Sequence, residues 1–133
     1  TVPLVASSLC LLPYLRTVLP PERPIGVLTF DGPKLAGTLG LEETASLAIE
    51  GIETGSELHP VISQDCELLD IDAARRDVAE AAQRLAARAP DLAAVVLECT
   101  NLPPYRDVID PVFPCRVYDI RDIVLWHAGA APL

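Results

Sequence analysis

Short apolar runs alternate along this chain with segments of helical polarity. Three runs, residues 25–30 (IGVLTF), 93–97 (AAVVL) and 115–120 (CRVYDI), are rich in β-branched and aliphatic side chains. An apolar run without polar alternation is typical of a strand that is buried on both faces, as in a parallel sheet. Residues 70–89 instead place their apolar side chains on one helical face, with acids at the start and arginines near the end. This pattern predicts an amphipathic helix.

The remaining elements follow from weaker patterns. Residues 2–6 predict a strand, followed by a serine-capped helix that ends before LPPERP, residues 19–24. Further predictions are a helix from Lys34 to about Leu39, a strand over 44–52, a short helix from Pro103 to about Ile109 and a last helix over 121–127. Residues 53–68 give no assignable pattern. The alternation predicts an α/β protein with three αβα layers and a parallel flavodoxin-like sheet of about four to five strands.

Composition narrows the class of protein. The 133 residues are one domain by length, and their 50% hydrophobic content excludes disorder. The net charge of −9 argues against a nucleic-acid partner, because binding phosphates requires an excess of Lys and Arg. No apolar run approaches the roughly 20 residues of a membrane span, so no membrane partner is expected.

The four cysteines, Cys10, Cys66, Cys99 and Cys115, form no CxxC pair and no ligand cluster with histidine. Zinc is therefore not expected. Because the cysteines fall in or near predicted helices and strands, we interpret them as reduced thiols of a cytoplasmic protein.

Chemistry is expected at Cys99, within VVLECTNLPPY, residues 95–105. The pattern predicts a strand, a short turn and a helix, with Thr100 or Asn101 as the helix cap and proline in the first turn. A cysteine beside a helix N-terminus can have a lowered pKa, and the same position favours a bound carboxylate. The alternative is that Cys99 is a small buried hydrophobe.

Polar residues also follow other predicted strands. Thr29 and Asp31 close the strand over 25–30, and Asp119 lies in the last strand. Ligands of open parallel sheets bind beyond the carboxyl ends of the strands, so these residues and Cys99 would face one crevice. The alternatives are that Thr29 is a turn residue and that Asp31 and Asp119 cap helices.

The run VVLECTNLPPY, with IGVLTFD upstream and YDIRDIVLWHAG downstream, resembles the aspartate/glutamate racemase superfamily. The resemblance implies a cofactor-independent racemase or epimerase of a small carboxylate, an amino acid or dicarboxylic acid, with no metal. It implies that the Cys99 thiolate abstracts the proton α to the carboxylate. It also implies that Thr100, Asn101 and Thr29 bind the substrate.

Two departures from the superfamily pattern limit this expectation. The resemblance implies two similar lobes that each give one cysteine to the site, and the first lobe with its cysteine is expected to be missing here. Residues 1–24 would then be its remnant with a Pro-rich connection, residues 25–114 the second lobe and 115–133 a returning segment. Position 101 is Asn, where glutamate racemases carry His and aspartate racemases carry Glu. The chain alone is therefore expected to be an inactive fragment. Alternatives are a maleate isomerase, an arylmalonate decarboxylase-like enzyme and a non-catalytic ligand-binding domain.

The first and last predicted helices indicate a surface that packs against another protein surface. Both carry more apolar side chains, in LCLLPYL and IVLWHA, than a solvated face needs. We therefore expect either a homo-oligomer or a surface that packs against the missing lobe.

Overall fold

The structure, a computed structural model, describes residues 4–129. Its strands are β1 (Ile25–Thr29), β2 (Leu47–Gly51), β3 (Ala94–Leu97) and β4 (Val117–Tyr118). Its α-helices are α1 (Leu12–Val18), α2 (Gly32–Leu39), α3 (Leu41–Thr44), α4 (Leu58–Ser63), α5 (Ile71–Arg88), α6 (Arg106–Ile109) and α7 (Ile120–His127). Short 3₁₀ segments occupy Ser8–Leu11, Pro103–Tyr105 and Asp110–Val112.

The four strands form one parallel sheet in the order β2-β1-β3-β4. Val27 in β1 lies between Ile49 of β2 and Val96 of β3. The two central strands are fully buried, as their unbroken apolar sequences predict. The predicted α/β class and the flavodoxin-like parallel sheet are confirmed.

Successive side chains of β3 separate the core into two layers, because strand residues point alternately to opposite faces. Val95 and Leu97 pack in the cluster formed with α5, whereas Ala94 and Val96 pack with α1 and α7. The sheet is thus covered on both faces, which gives the predicted αβα arrangement. The division of the chain into a remnant, a lobe and a returning segment stays a prediction.

The amino-terminal segment differs from its predicted strand. Residues 4–7 have no regular secondary structure, and residues 1–3 lie outside the described part. Leu4 is 91% exposed, while Val5 packs against the cluster beneath α1, so residues 4–7 do not form a strand of the sheet. The predicted serine cap is confirmed, since the Ser7 side chain accepts a hydrogen bond from the Leu9 N–H.

Residues 53–68, which had no assignable pattern, contain α4. Asp77 of α5 is 6% exposed, and its carboxylate accepts hydrogen bonds from the backbone N–H groups of Ser56, Glu57 and Leu58 at 3.0, 2.6 and 3.0 Å. Gly55 lies against the same carboxylate, where a side chain would collide with it. A buried acid on the long helix therefore fixes the start of α4.

Exposed apolar side chains remain on the outer surface of the first and last helices. Tyr14 and Trp126 are 45% and 52% exposed, and their rings meet edge to face with centroids 5.0 Å apart. Self-association through this surface stays a prediction. Within residues 4–129, no helix has both the length and the apolarity needed to cross a bilayer.

Candidate functional site

The carboxyl ends of β1 and β3 bring two polar side chains together. The strands are hydrogen-bonded neighbours, and the backbone N–H of Glu98 donates to the carbonyl of Leu28 at 2.9 Å. This register places Glu98 beside Thr29, whose hydroxyl donates to Glu98 Oε2 at 2.6 Å. Thr29 is only 2% exposed, so its hydroxyl is committed to that carboxylate. Thr29 therefore lies at the predicted crevice and acts there as a partner of Glu98.

Cys99 follows at the start of the turn and is half-buried. Its carbonyl accepts a hydrogen bond from the Leu102 N–H at 3.1 Å, and Asn101 Nδ2 lies 3.8 Å from its Sγ. Burial raises the pKa of the Cys99 thiol, and the negative charge of Glu98 acts in the same direction. The backbone and side-chain N–H groups of Asn101 oppose this rise, because they favour the thiolate.

The expected capping of the next helix by Thr100 or Asn101 is wrong. The 3₁₀ turn Pro103–Tyr105 begins after Leu102, with no side-chain cap, and α6 has only one turn. A terminus this short offers only a weak dipole. Burial outweighs the Asn101 hydrogen bonds, so the expected lowering of the Cys99 pKa does not occur. Thr100 and Asn101 are exposed beside Cys99. Their substrate-binding role stays a prediction.

An open cavity of about 260 Å³ lies at this edge of the sheet. Thr29, Phe30, Asp31, Lys34 and Glu98 are among the residues that line it. Cys99 lies next to the cavity in sequence but does not line it. Asp31 Oδ1 accepts a hydrogen bond from the Lys34 N–H at 2.9 Å, which confirms that Asp31 caps α2. With Lys34 and the acids Asp31 and Glu98, both positively and negatively charged residues line the cavity.

Sequence patterns missed two residues of this region, Glu98 and His59. Glu98 closes an apolar strand, and a charged residue in that position was the signal available for it. His59 lies in α4, and its ring stacks on Phe30 with centroids 4.2 Å apart and an interplanar angle of 24°. No local pattern links His59 to Phe30. Their contact depends on the packing of α4 over the end of β1.

Asp119, at the end of β4, has a structural role. It is fully buried, caps α7 in a capping box, and accepts from Arg121 at 2.6 Å and Arg106 at 3.1 Å. Burial alone would raise the pKa of Asp119, but the Arg121 and Arg106 contacts outweigh it and hold that pKa below its usual value. The alternative interpretation, a helix cap, is confirmed.

The described residues 4–129 contain no group of three or more His, Cys, Asp or Glu side chains that could hold a metal ion. The four cysteines are all unpaired.

Fold and site together define a flavodoxin-like α/β unit with a polar crevice at the carboxyl edge of its sheet. The chain is 28% identical over 125 residues to a protein of Durusdinium sp. clade D named dimethylsulfoniopropionate lyase. The match covers 88% of this chain and 41% of the relative, so the chain spans less than half of that protein. No family model matches the chain, and no solved structure matches it. The expectation of a racemase is wrong on this finding, because the relative is named as a lyase.

Proposed function

We propose that this chain is part of a lyase that eliminates a leaving group from the carbon β to a carboxylate, with Cys99 as the base. The observation that carries the proposal is the similarity to a dimethylsulfoniopropionate lyase over 88% of the chain. The name of that relative contains a propionate with a dimethylsulfonium group, and elimination to a C=C bond requires that group on the carbon β to the carboxylate. The proposed substrate class is therefore a small carboxylate with a cationic sulfur leaving group.

Such an elimination needs one base. The Cys99 thiolate takes the proton from the carbon α to the carboxylate, and the electron pair of that C–H bond forms the C=C bond. The C–S bond breaks, and its electron pair goes to the sulfonium sulfur, which leaves as a neutral sulfide. Cys99 is left as the thiol, and it passes its proton to water when the thiolate forms for the next turnover. A single cysteine suffices, whereas racemisation by two bases needs a second proton carrier on the opposite face.

The residues around Cys99 support this chemistry in specific ways. The N–H groups of Asn101 stabilise the thiolate, and the exposed Thr100 and Asn101 side chains offer donors to a carboxylate. Because burial raises the pKa of Cys99, the resting form at neutral pH is the thiol. The elimination rate should therefore increase as the pH rises through the pKa of Cys99.

The test is release of dimethyl sulfide from dimethylsulfoniopropionate. The 133-residue chain and any longer native product that contains it should both be assayed, because the chain spans 41% of the relative. Cys99→Ala should reduce release at least about a hundredfold, the scale of a lost acid–base group.

Cys115→Ala is the matched control, because Cys115 is also half-buried and burial raises its pKa too. It should leave the rate unchanged. No release by either wild-type protein, or full release by Cys99→Ala, would refute the proposal.

A further inference from the structure

We propose that Glu98, held in place by Thr29, binds the positively charged end of the substrate in the cavity that it shares with Phe30. The inference rests on the proposed function in one respect, because that function gives the substrate its positive charge. It assigns a substrate-binding role to Glu98, and it assigns Thr29 as a positioning residue.

The geometry of Glu98 is fixed from two sides. Its backbone N–H is bonded to Leu28 within the sheet, and its carboxylate accepts the buried Thr29 hydroxyl at 2.6 Å. A carboxylate has about four lone-pair sites, so the bond from Thr29 to Oε2 leaves acceptor capacity for another group. The carboxylate lines the open cavity at this edge of the sheet. A negative group that is already held in place is suited to a cation, because little side-chain entropy is lost on binding.

Phe30 gives the same cavity an aromatic wall. Its ring is held by the stacked ring of His59, and α4, which carries His59, is fixed in turn by Asp77. Methylated onium cations are weakly hydrated and bind where aromatic rings and carboxylates meet. The volume of about 260 Å³ suits a molecule of that size. Lys34 lines the cavity as well, so a zwitterion would meet both charges.

The position of Glu98 next to Cys99 couples binding to chemistry. The Glu98 charge is one cause that raises the pKa of Cys99. A cation bound to Glu98 would offset that charge and favour the thiolate. The base would then form mainly when a cationic substrate is in place.

The test compares two ligands of equal shape. One is the zwitterion β-trimethylammoniopropionate, and the other is its isostere with an uncharged tert-butyl group in place of trimethylammonium. Binding is followed by NMR from the ring protons of Phe30 and His59. Wild-type protein should bind the trimethylammonium ligand about tenfold more tightly than the isostere, the effect of a partly buried ion pair with an aromatic neighbour.

Glu98→Gln should abolish this preference, and Thr29→Val should reduce it, whereas Thr29→Ser should keep it. Glu80→Gln is the matched control, because it removes the same charge from an exposed position of α5 and should keep the preference. Thr29→Val provides a second readout if Glu98→Gln does not fold.

Equal affinity of wild-type protein for both ligands would overturn the inference, as would an unchanged preference in folded Glu98→Gln. Neither measurement depends on turnover. Preference for the trimethylammonium ligand without lyase activity would therefore uphold this inference and refute the proposed function. Lyase activity without that preference would refute this inference and uphold the proposed function.

Discussion

Replacing Asp77 with alanine should lower the free energy of unfolding by about 3 kcal/mol, the sum of three lost hydrogen bonds from backbone N–H groups. The Leu58 N–H is buried, so losing its acceptor costs about 1–3 kcal/mol of uncompensated desolvation. The N–H groups of the exposed Ser56 and half-buried Glu57 can be rehydrated, and each loss costs about 0.5–1 kcal/mol. The loss of stability should be greatest at the start of α4.

The stabilisation of the fold by Asp77 depends on pH and decreases in acid. Burial alone would raise the pKa of Asp77, but the N–H groups of Glu57, Leu58 and Ser56 outweigh it and hold that pKa below its usual value. The folded pKa is thus lower than the unfolded one, which is about 3.9. The stabilisation by Asp77 is present above that unfolded pKa and is lost as the pH falls through the lower folded pKa. The difference between wild type and Asp77→Ala should therefore shrink in acid.

Urea denaturation followed by Trp126 fluorescence measures this difference, and amide hydrogen exchange at Leu58 locates it. Asp72→Ala is the matched control. Asp72 is an exposed acid in the first turn of α5, and its loss should cost no more than about 0.5 kcal/mol. Equal stability of the two variants at neutral pH, or unchanged exchange at Leu58, would refute the assignment of Asp77 as the anchor of α4.

Two further substitutions test the close packing of the sheet end and the environment of the thiol. Gly51→Ala should lower the free energy of unfolding by about 2–3 kcal/mol in urea denaturation, because a Cβ would collide with the backbone nitrogen of Gly32. Gly37→Ala, in open space on a helix, should raise it by up to about 1 kcal/mol. Equal effects of the two substitutions would contradict this reasoning. Asn101→Ala should raise the pKa of Cys99 further, since it removes a donor that favours the thiolate. Site-resolved alkylation rates against pH measure that shift, and an unchanged or lower pKa would show that the Asn101 contact is unimportant.

The central strands and α5 were predictable because local sequence patterns indicate which of their residues are buried. An apolar run with no polar alternation, as in β1 and β3, fits only a position covered on both faces. The amino-terminal apolar run carried a similar local signal, but in its described part only Val5 packs against the core and Leu4 is 91% exposed. A short apolar run by itself does not distinguish a strand of the sheet from an irregular segment beside it.

Residues whose partners are distant in sequence were not predictable. Asp77 lies among the apolar positions of α5, and its partners belong to a segment without any periodic pattern. Glu98 and Thr29 are 69 residues apart, and only the register of β1 against β3 brings them together. For Cys99, the predicted position beside a helix N-terminus favours a lowered pKa, whereas burial in the folded chain raises it.

The combination of a neutral resting thiol and an adjacent carboxylate favours one order of events in the proposed elimination. If Cys99 were a thiolate in the free protein, the Glu98 charge would lie beside a second negative charge in a half-buried turn. A cationic substrate removes that conflict, because it neutralises Glu98 before the base forms. Since the C–S bond then breaks to a neutral sulfide, the cation is consumed in the same step that protonates Cys99. The Glu98 charge would again disfavour the thiolate once the sulfide leaves, so proton abstraction would be confined to the occupied site.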